Sequence, residues 1–147
     1  MTTHSLSLFD YTTEQGVVQT LANAYASGKY VSGKVKVMQA FLAEFLTARG
    51  SVRFDPMYGC DLVRCLGVTN LRSLQDAESL LASAAAEVVA NMKSRYRGTE
   101  HGDERIVSAR VSECIQHLDS VEAHILLTTA SGDTAVLKMP VRFLPEQ

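Results

Sequence analysis

From residue 34 onward the apolar positions recur with two different periods, and the change of period divides the chain. In "KVKVMQAFLAEFLTA" (34–48), Val35, Met38, Leu42 and Phe45 fall at i, i+3, i+7 and i+10, and Phe41 and Leu46 widen the stripe. This is a helical period, so the stretch predicts an amphipathic helix. Lys34, Lys36, Gln39 and Glu44 fall mostly off the stripe, which puts Glu44 on the polar side. Gly50 is placed to end the helix, because glycine tolerates the left-handed conformation a helix terminus needs. Arg49 suits the negative helix end. Residues 51–59, "SVRFDPMYG", then read as extended: Pro56 forces Asp55 out of helical geometry, and Gly59 permits the next turn. "CDLVRCLGV" adds a short apolar stretch ending near Gly67.

Residues 70–97 predict the longest helix. Leu74, Ala77, Leu81, Ala84, Val88, Met92 and Tyr96 form its stripe. Its start is at Asn70 or at Ser73, which with Asp76 resembles a capping box. Alanines at 82, 84, 85, 86 and 90 favour helix and allow a neighbour to approach closely. Lys93, Arg95 and Arg97 complement the helix dipole, and Gly98 ends the helix. After that the period shortens. Residues 105–142 predict strands in "RIVSARVSECI" (105–115), "HILLTTA" (124–130) and "TAVLKMPVRF" (134–143), separated by Asp119-Ser120 and by a loop at 130–133 that carries hairpin chemistry; 105–111, 124–129 and 134–142 are the stretches that could supply a sheet edge.

The order helix, extended segment, long helix, strands predicts an α+β domain. Two main helices pack on a small antiparallel sheet, made of a three-stranded C-terminal meander plus the short extended segment. Residues 1–33 predict a flexible N-terminal arm with one short helix in "VVQTLANAYA" (17–26), interrupted by Gly28 and Gly33. Residues 34–147 form the domain proper. There is no internal repeat and no low-complexity segment.

Size and composition change little in this picture. At 147 residues, one domain can bury enough surface to fold without metal or disulfide. A net charge of −2 supplies no basic field for nucleic acid. The charge is uneven: residues 1–75 carry seven Lys/Arg against five Asp/Glu, and residues 76–147 seven against eleven. Three cysteines, Cys60, Cys65 and Cys114, are an odd number behind no signal-like start, which fits reduced thiols in a cytoplasm. No apolar run is long enough to span a membrane.

Candidate chemistry is thin. The four histidines (4, 101, 117 and 124) include no His-Glu-x-x-His pair, and His101 sits in a polar, carboxylate-rich loop more simply explained by solvation. A metal needs three or four converging ligands, and Cys60 and Cys65 have no second pair to complete a zinc site. Cys60 as a nucleophile would need a histidine base brought to it by the fold. Glycoside hydrolysis needs paired carboxylates, for which Glu44, Asp55 and Asp61 are the candidates. Each has a plainer role, Asp55 before Pro56 as a turn-former. The expectation is therefore no catalytic residue, cofactor or metal.

Two motifs remain. Leu46-Thr47, Gly50, Pro56, Gly59 and Leu62 spell L-T-x-x-G-x-x-x-x-x-P-x-x-G-x-x-L, with Tyr58 inside. Asp103-Glu104-Arg105-Ile106 opens the strands. In that order and separation the motifs resemble the contractile-tail baseplate wedge family, also called the sheath-initiator or "tail lysozyme" family, of phages and type VI secretion systems. The family's second motif is Glu-Pro-Arg-Ile-like. Here Asp103 stands for Glu, Arg105 and Ile106 match, and Glu104 replaces the proline. The resemblance covers roughly residues 34–142.

The resemblance implies a structural protein rather than an enzyme. It implies partners among other baseplate wedge proteins, the tail sheath and the tail tube or hub, with no nucleic acid or membrane. Six-fold placement in a virion tail baseplate, assembled in the host cytoplasm, is implied as well. The sheath would add strands to an exposed sheet edge, with Asp103, Glu104, Arg105 and Ile106 as the assembly residues. Thr47, Gly50, Pro56, Tyr58, Gly59 and Leu62 would form a rigid connector, with Tyr58 anchored by burial of its ring. The rival from another class is a peptidoglycan-cleaving enzyme, and the equivalent secretion-system subunit is a variant of the structural reading.

Overall fold

A computed structural model describes residues 5–6, 10–14, 17–22, 30–62, 64–65, 74–118 and 120–142. The fold is α+β. In chain order come β1 (Ser5–Leu6), β2 (Asp10–Glu14), β3 (Val17–Ala22), β4 (Tyr30–Val31), α1 (Gly33–Phe45) and α2 (Leu74–Ser94). A 3-10 turn at Gly102–Glu104 then leads into β5 (Ile106–Gln116), β6 (Ser120–Thr129) and β7 (Thr134–Arg142). Strands β5, β6 and β7 form the expected antiparallel meander, joined between β6 and β7 by the expected tight turn.

Both helical stripes face the sheet. Val37, Met38, Phe41, Leu42 and Phe45 of α1 are buried, as are Ala77, Leu81, Ala84, Ala85, Val88, Val89 and Met92 of α2. They meet the inner face of the meander, where Val121, Ala123, Ile125 and Leu127 alternate with half-exposed residues on β6. Ala135, Leu137 and Met139 do the same on β7. Phe41 and Phe45 stack with ring centroids 5.3 Å apart at the centre of this layer.

Strand β5 reaches the core with a different spacing. Ile106, Ala109, Val111 and Cys114 face inward, and register shifts between Ile106 and Ser108 and between Val111 and Glu113 absorb the extra residues. Such bulges are common on edge strands, where they increase the local twist.

The N-terminal region departs from expectation. Residues 17–22 are strand β3, not helix. β3 pairs antiparallel with β2 and parallel with β7 through Val18↔Ala135, Gln19↔Val136 and Thr20↔Leu137. The sheet is therefore five-stranded in the order β2-β3-β7-β6-β5, and β1 pairs separately with β4. A ten-residue helix is marginal alone, whereas Val17, Val18 and Thr20 are β-branched and the free side of β7 supplies backbone partners.

Residues 51–59 are also not extended. They form successive turns, with Asp55 N–H donating to Val52 O (3.3 Å) and Tyr58 N–H to Asp55 O (3.1 Å). Pro56 pre-sets the backbone at the second position of the Asp55–Tyr58 turn. α1 stops at Phe45, before Gly50, so Gly50 turns the following loop instead of capping the helix. The expected helix starts at Asn70 and Ser73, with Gly28, Gly67 and residues 143–147, lie outside the described residues.

Candidate functional site

The loop between α1 and residue 60 is held as a rigid joint, and its centre is an ion pair the sequence concealed. Glu44 points into the molecule and is 1% exposed, not on a polar face. Its carboxylate accepts two parallel hydrogen bonds from Arg95, both 2.7 Å, and a longer one from the Gly59 N–H at 3.4 Å. Such a bidentate pair is among the stronger and more directional polar contacts. Arg95 was expected to serve the α2 dipole. It lies one residue past the helix and reaches across to α1 instead. Its guanidinium also sits 5.0 Å over the Tyr58 ring and 3.7 Å from Asp55 Oδ2. The Glu44 bonds raise the already high Arg95 pKa further, so this cation stays charged. Burial, reinforced by the Glu44 charge, pushes the Tyr58 phenol up.

Around this pair the motif residues do separate jobs. The Thr47 hydroxyl donates back to Ala43 O (2.6 Å). Cys60 N–H donates to Thr47 O and Arg49 N–H to Cys60 O, an isolated parallel bridge that brings the loop's two ends together. Gly59 has φ +101°, and a Cβ there would lie 2.5 Å from Thr47 O, so only glycine fits. Leu62 and Cys60 are buried in the core beneath the joint. Asn91 of α2 donates to Met57 O (3.4 Å) and Gly59 O (3.3 Å). Arg49, expected at the α1 end, forms ion pairs with Glu87 of α2 and with Asp61.

The second motif ties the other end of α1. Asp103 lies against the start of α1, 3.0 Å from where a Gly33 Cβ would be, and its charge suits that helix terminus. Glu104 is buried, with Oε2 3.7 Å from Lys36 Nζ. Ile106 is in the core, and its N–H donates to the Tyr96 hydroxyl. The β6–β7 turn hangs on the same segment, with Ala130 N–H donating to Arg105 O and Ser131 N–H to Gly102 O. Of the four residues only Arg105 has an exposed side chain.

The carboxylates considered for hydrolysis are each beside an arginine: Glu44 and Asp55 beside Arg95, Asp61 beside Arg49 and Arg64. Cys60 is fully buried, its thiol donates to Phe45 O, and burial pushes its pKa up, the reverse of an activated nucleophile. On the outer sheet face His124 bonds Glu122 (2.6 Å) and approaches Glu113 (3.5 Å), and His117 approaches Glu122 (3.8 Å). The His124 bond holds the Glu122 carboxyl low. Among the described residues no group of three or more His, Cys, Asp or Glu is arranged to hold a metal ion.

The sequence did not single out Glu44 with Arg95, or Asn91. The one available signal was a carboxylate beside a helical apolar stripe. Its partner is 51 residues away, and no spacing rule reaches that far. Neither a protein-family model nor a curated protein sequence matches the chain.

Proposed function

We propose that this chain is a structural subunit of a contractile-tail baseplate wedge, which joins wedge proteins and gives the first sheath ring a sheet to extend. The observation that carries the reading is the placement of β5. Among the described strands it pairs on one side only, with β6, and it begins directly after the exposed Arg105. A sheet edge recruits a strand through its backbone donors and acceptors. Arg105 beside it presents a planar fork of donors suited to a carboxylate or a carbonyl. The likeness of the two motifs to the wedge family supplies the partner. Both motifs serve as joints that hold α1, α2 and the sheet in one frame, which suits a scaffold. The arginines beside Glu44, Asp55 and Asp61 weigh against the peptidoglycan-cleaving alternative, which needs a free acid and a free base or nucleophile.

The test is co-expression with the sheath and baseplate proteins encoded nearby, followed by electron microscopy of the complexes. The expected result is this chain at the base of the first sheath ring, with an incoming strand beside β5. Arg105→Ala should reduce incorporation and leave the thermal midpoint unchanged, because the side chain is exposed. A chain that stays free of all these proteins, and whose cell-wall cleavage is abolished by Glu44→Gln, would sink the structural reading in favour of the enzyme. Type VI baseplate neighbours in place of phage ones would assign the same role to a secretion system.

A further inference from the structure

The free side of β5 is shorter than the strand, because it is bounded at both ends. At the start, the Arg105 carbonyl turns towards the β6–β7 turn and accepts the Ala130 N–H. The next donor, the Ile106 N–H, turns the other way and is taken by the Tyr96 hydroxyl just past α2. Farther along, the register shifts between Val111 and Glu113, and the bulged Ser112 donates its hydroxyl to His124 O (3.1 Å). Between the two shifts, regular pairing runs from Ser108 to Val111. The ladder also fixes which backbone groups face out. The Thr129 N–H donates to Asp133 O, so Thr129 faces β7 and Thr128 faces β5. Alternation then makes Ser108↔Thr128 and Arg110↔Leu126 the bonded pairs. Ala109 and Val111 turn their N–H and C=O groups away from β6, to the open side of the sheet.

The charge at this slot has one sign. Arg105 lies just before it and Arg110 inside it. Both side chains are exposed, and among the described residues neither forms an ion pair. The residues paired around Arg110 are uncharged: Leu126 opposite, and Ser108 with Thr128 one step along the same face. The carboxylates farther along the sheet, Glu113 and Glu122, are drawn to His124 and His117 instead. We propose that the slot from Ser108 to Val111 accepts an extended acidic segment of a different protein. Its backbone pairs with Ala109 and Val111, and Asp or Glu side chains at alternate positions, which share one face, meet Arg110 and Arg105. A second copy is the wrong occupant, because a two-fold pairing of β5 through this slot brings the two Arg110 cations together. The proposal specifies the strand that the baseplate reading calls for, and it rests on that reading.

The experiment is hydrogen exchange, read at single residues by mass spectrometry, on the full chain alone and co-purified with each neighbouring sheath or baseplate protein. The expected result is that one neighbour slows exchange at Ala109 and Val111 and leaves Ser108 and Arg110 as they were. The segment of that neighbour that gains protection should carry Asp or Glu at alternate positions. Ala109→Pro removes the first free donor without touching the β6 ladder, so it should abolish binding with the thermal midpoint nearly unchanged. Arg110→Glu should weaken binding about thirtyfold, and binding of the parent should weaken with added salt. A steep fall in thermal midpoint on Ala109→Pro would turn that N–H towards β6 and overturn the slot. Protection of β5 by a second copy alone overturns the proposal as well. If a neighbour protects Ala109 and Val111 through a neutral segment, and Arg110→Glu binds as the parent does, the acidic segment fails while strand addition at β5 stands. If neighbours bind while Ala109 and Val111 exchange as in the free chain, the slot fails and strand addition at β5 fails with it, and only the place in the baseplate is kept. Binding to none of them overturns the proposal together with the baseplate reading.

Discussion

Gly50 and Gly59 belong to the same motif, and both have positive φ, yet they ask for glycine for different reasons. At Gly50 (φ +83°) an added Cβ meets nothing within 4 Å, so Gly50→Ala costs only backbone strain, about 1 kcal/mol. At Gly59 the same substitution drives a Cβ into the Thr47 carbonyl, so the strain and a backbone clash add to about 3 kcal/mol. Paired urea titrations check this, and equal losses at the two sites would contradict the close approach. Removing the Arg95 side chain should cost about 3 kcal/mol, because it leaves the buried Glu44 carboxylate without its partner. Glu44→Gln keeps acceptor and shape and should cost less. A free Glu44 would give the opposite order. Asp55 as a turn-former was legible because its chemistry is local, although the segment 51–59 around it read as extended and folds as successive turns. The burial of Glu44 was not, because a helical wheel ranks residues by hydrophobicity and cannot see a partner arriving from the far end of another helix.

The two main helices and the meander were legible from period alone, since each stripe or alternation has a single core to face. On α2 the structure separates alanines that the sequence reading grouped together. Ala85 is fully buried and Ala86 exposed. Ala85→Leu should therefore overpack the layer and cost about 1–3 kcal/mol, whereas Ala86→Leu should stay within about 0.5 kcal/mol of the parent. Denaturant midpoints of the two variants test this directly, and similar values would mean that α2 sits in another rotation. Where element-level reading failed, the missing information was a neighbour. β5 keeps its inward face only through two bulges, so strict alternation could not place it. β3 is a strand because β7 lies beside it, and the β-branched Val17, Val18 and Thr20 do not decide that without this neighbour.

At the scale of the whole molecule, two half-buried tyrosine hydroxyls sit where elements meet, and they set an alkaline limit on stability. Burial pushes the phenols of Tyr58, at the Arg95 joint, and Tyr96, which accepts the Ile106 N–H, above the usual tyrosine value. A group whose folded pKa is raised adds stability that is fully present below its unfolded value, near pH 10. That stability is lost as pH rises through the folded value. The urea midpoint should therefore fall steeply above about pH 10, and the double variant Tyr58→Phe, Tyr96→Phe should show a shallower fall from a lower starting point. Parallel curves would place the alkaline weakness elsewhere. The sequence by itself determined the helices, the meander and its turn, and so the α+β class, because these follow from residue spacing and short-range sterics. Only the tertiary structure decided that residues 17–22 extend the sheet and that Glu44 and Arg95 lock the joint. It also decided that Arg105 faces outward. Each of these depends on which groups meet across dozens of residues, and burial, pairing and exposure are properties of that meeting rather than of the residues themselves.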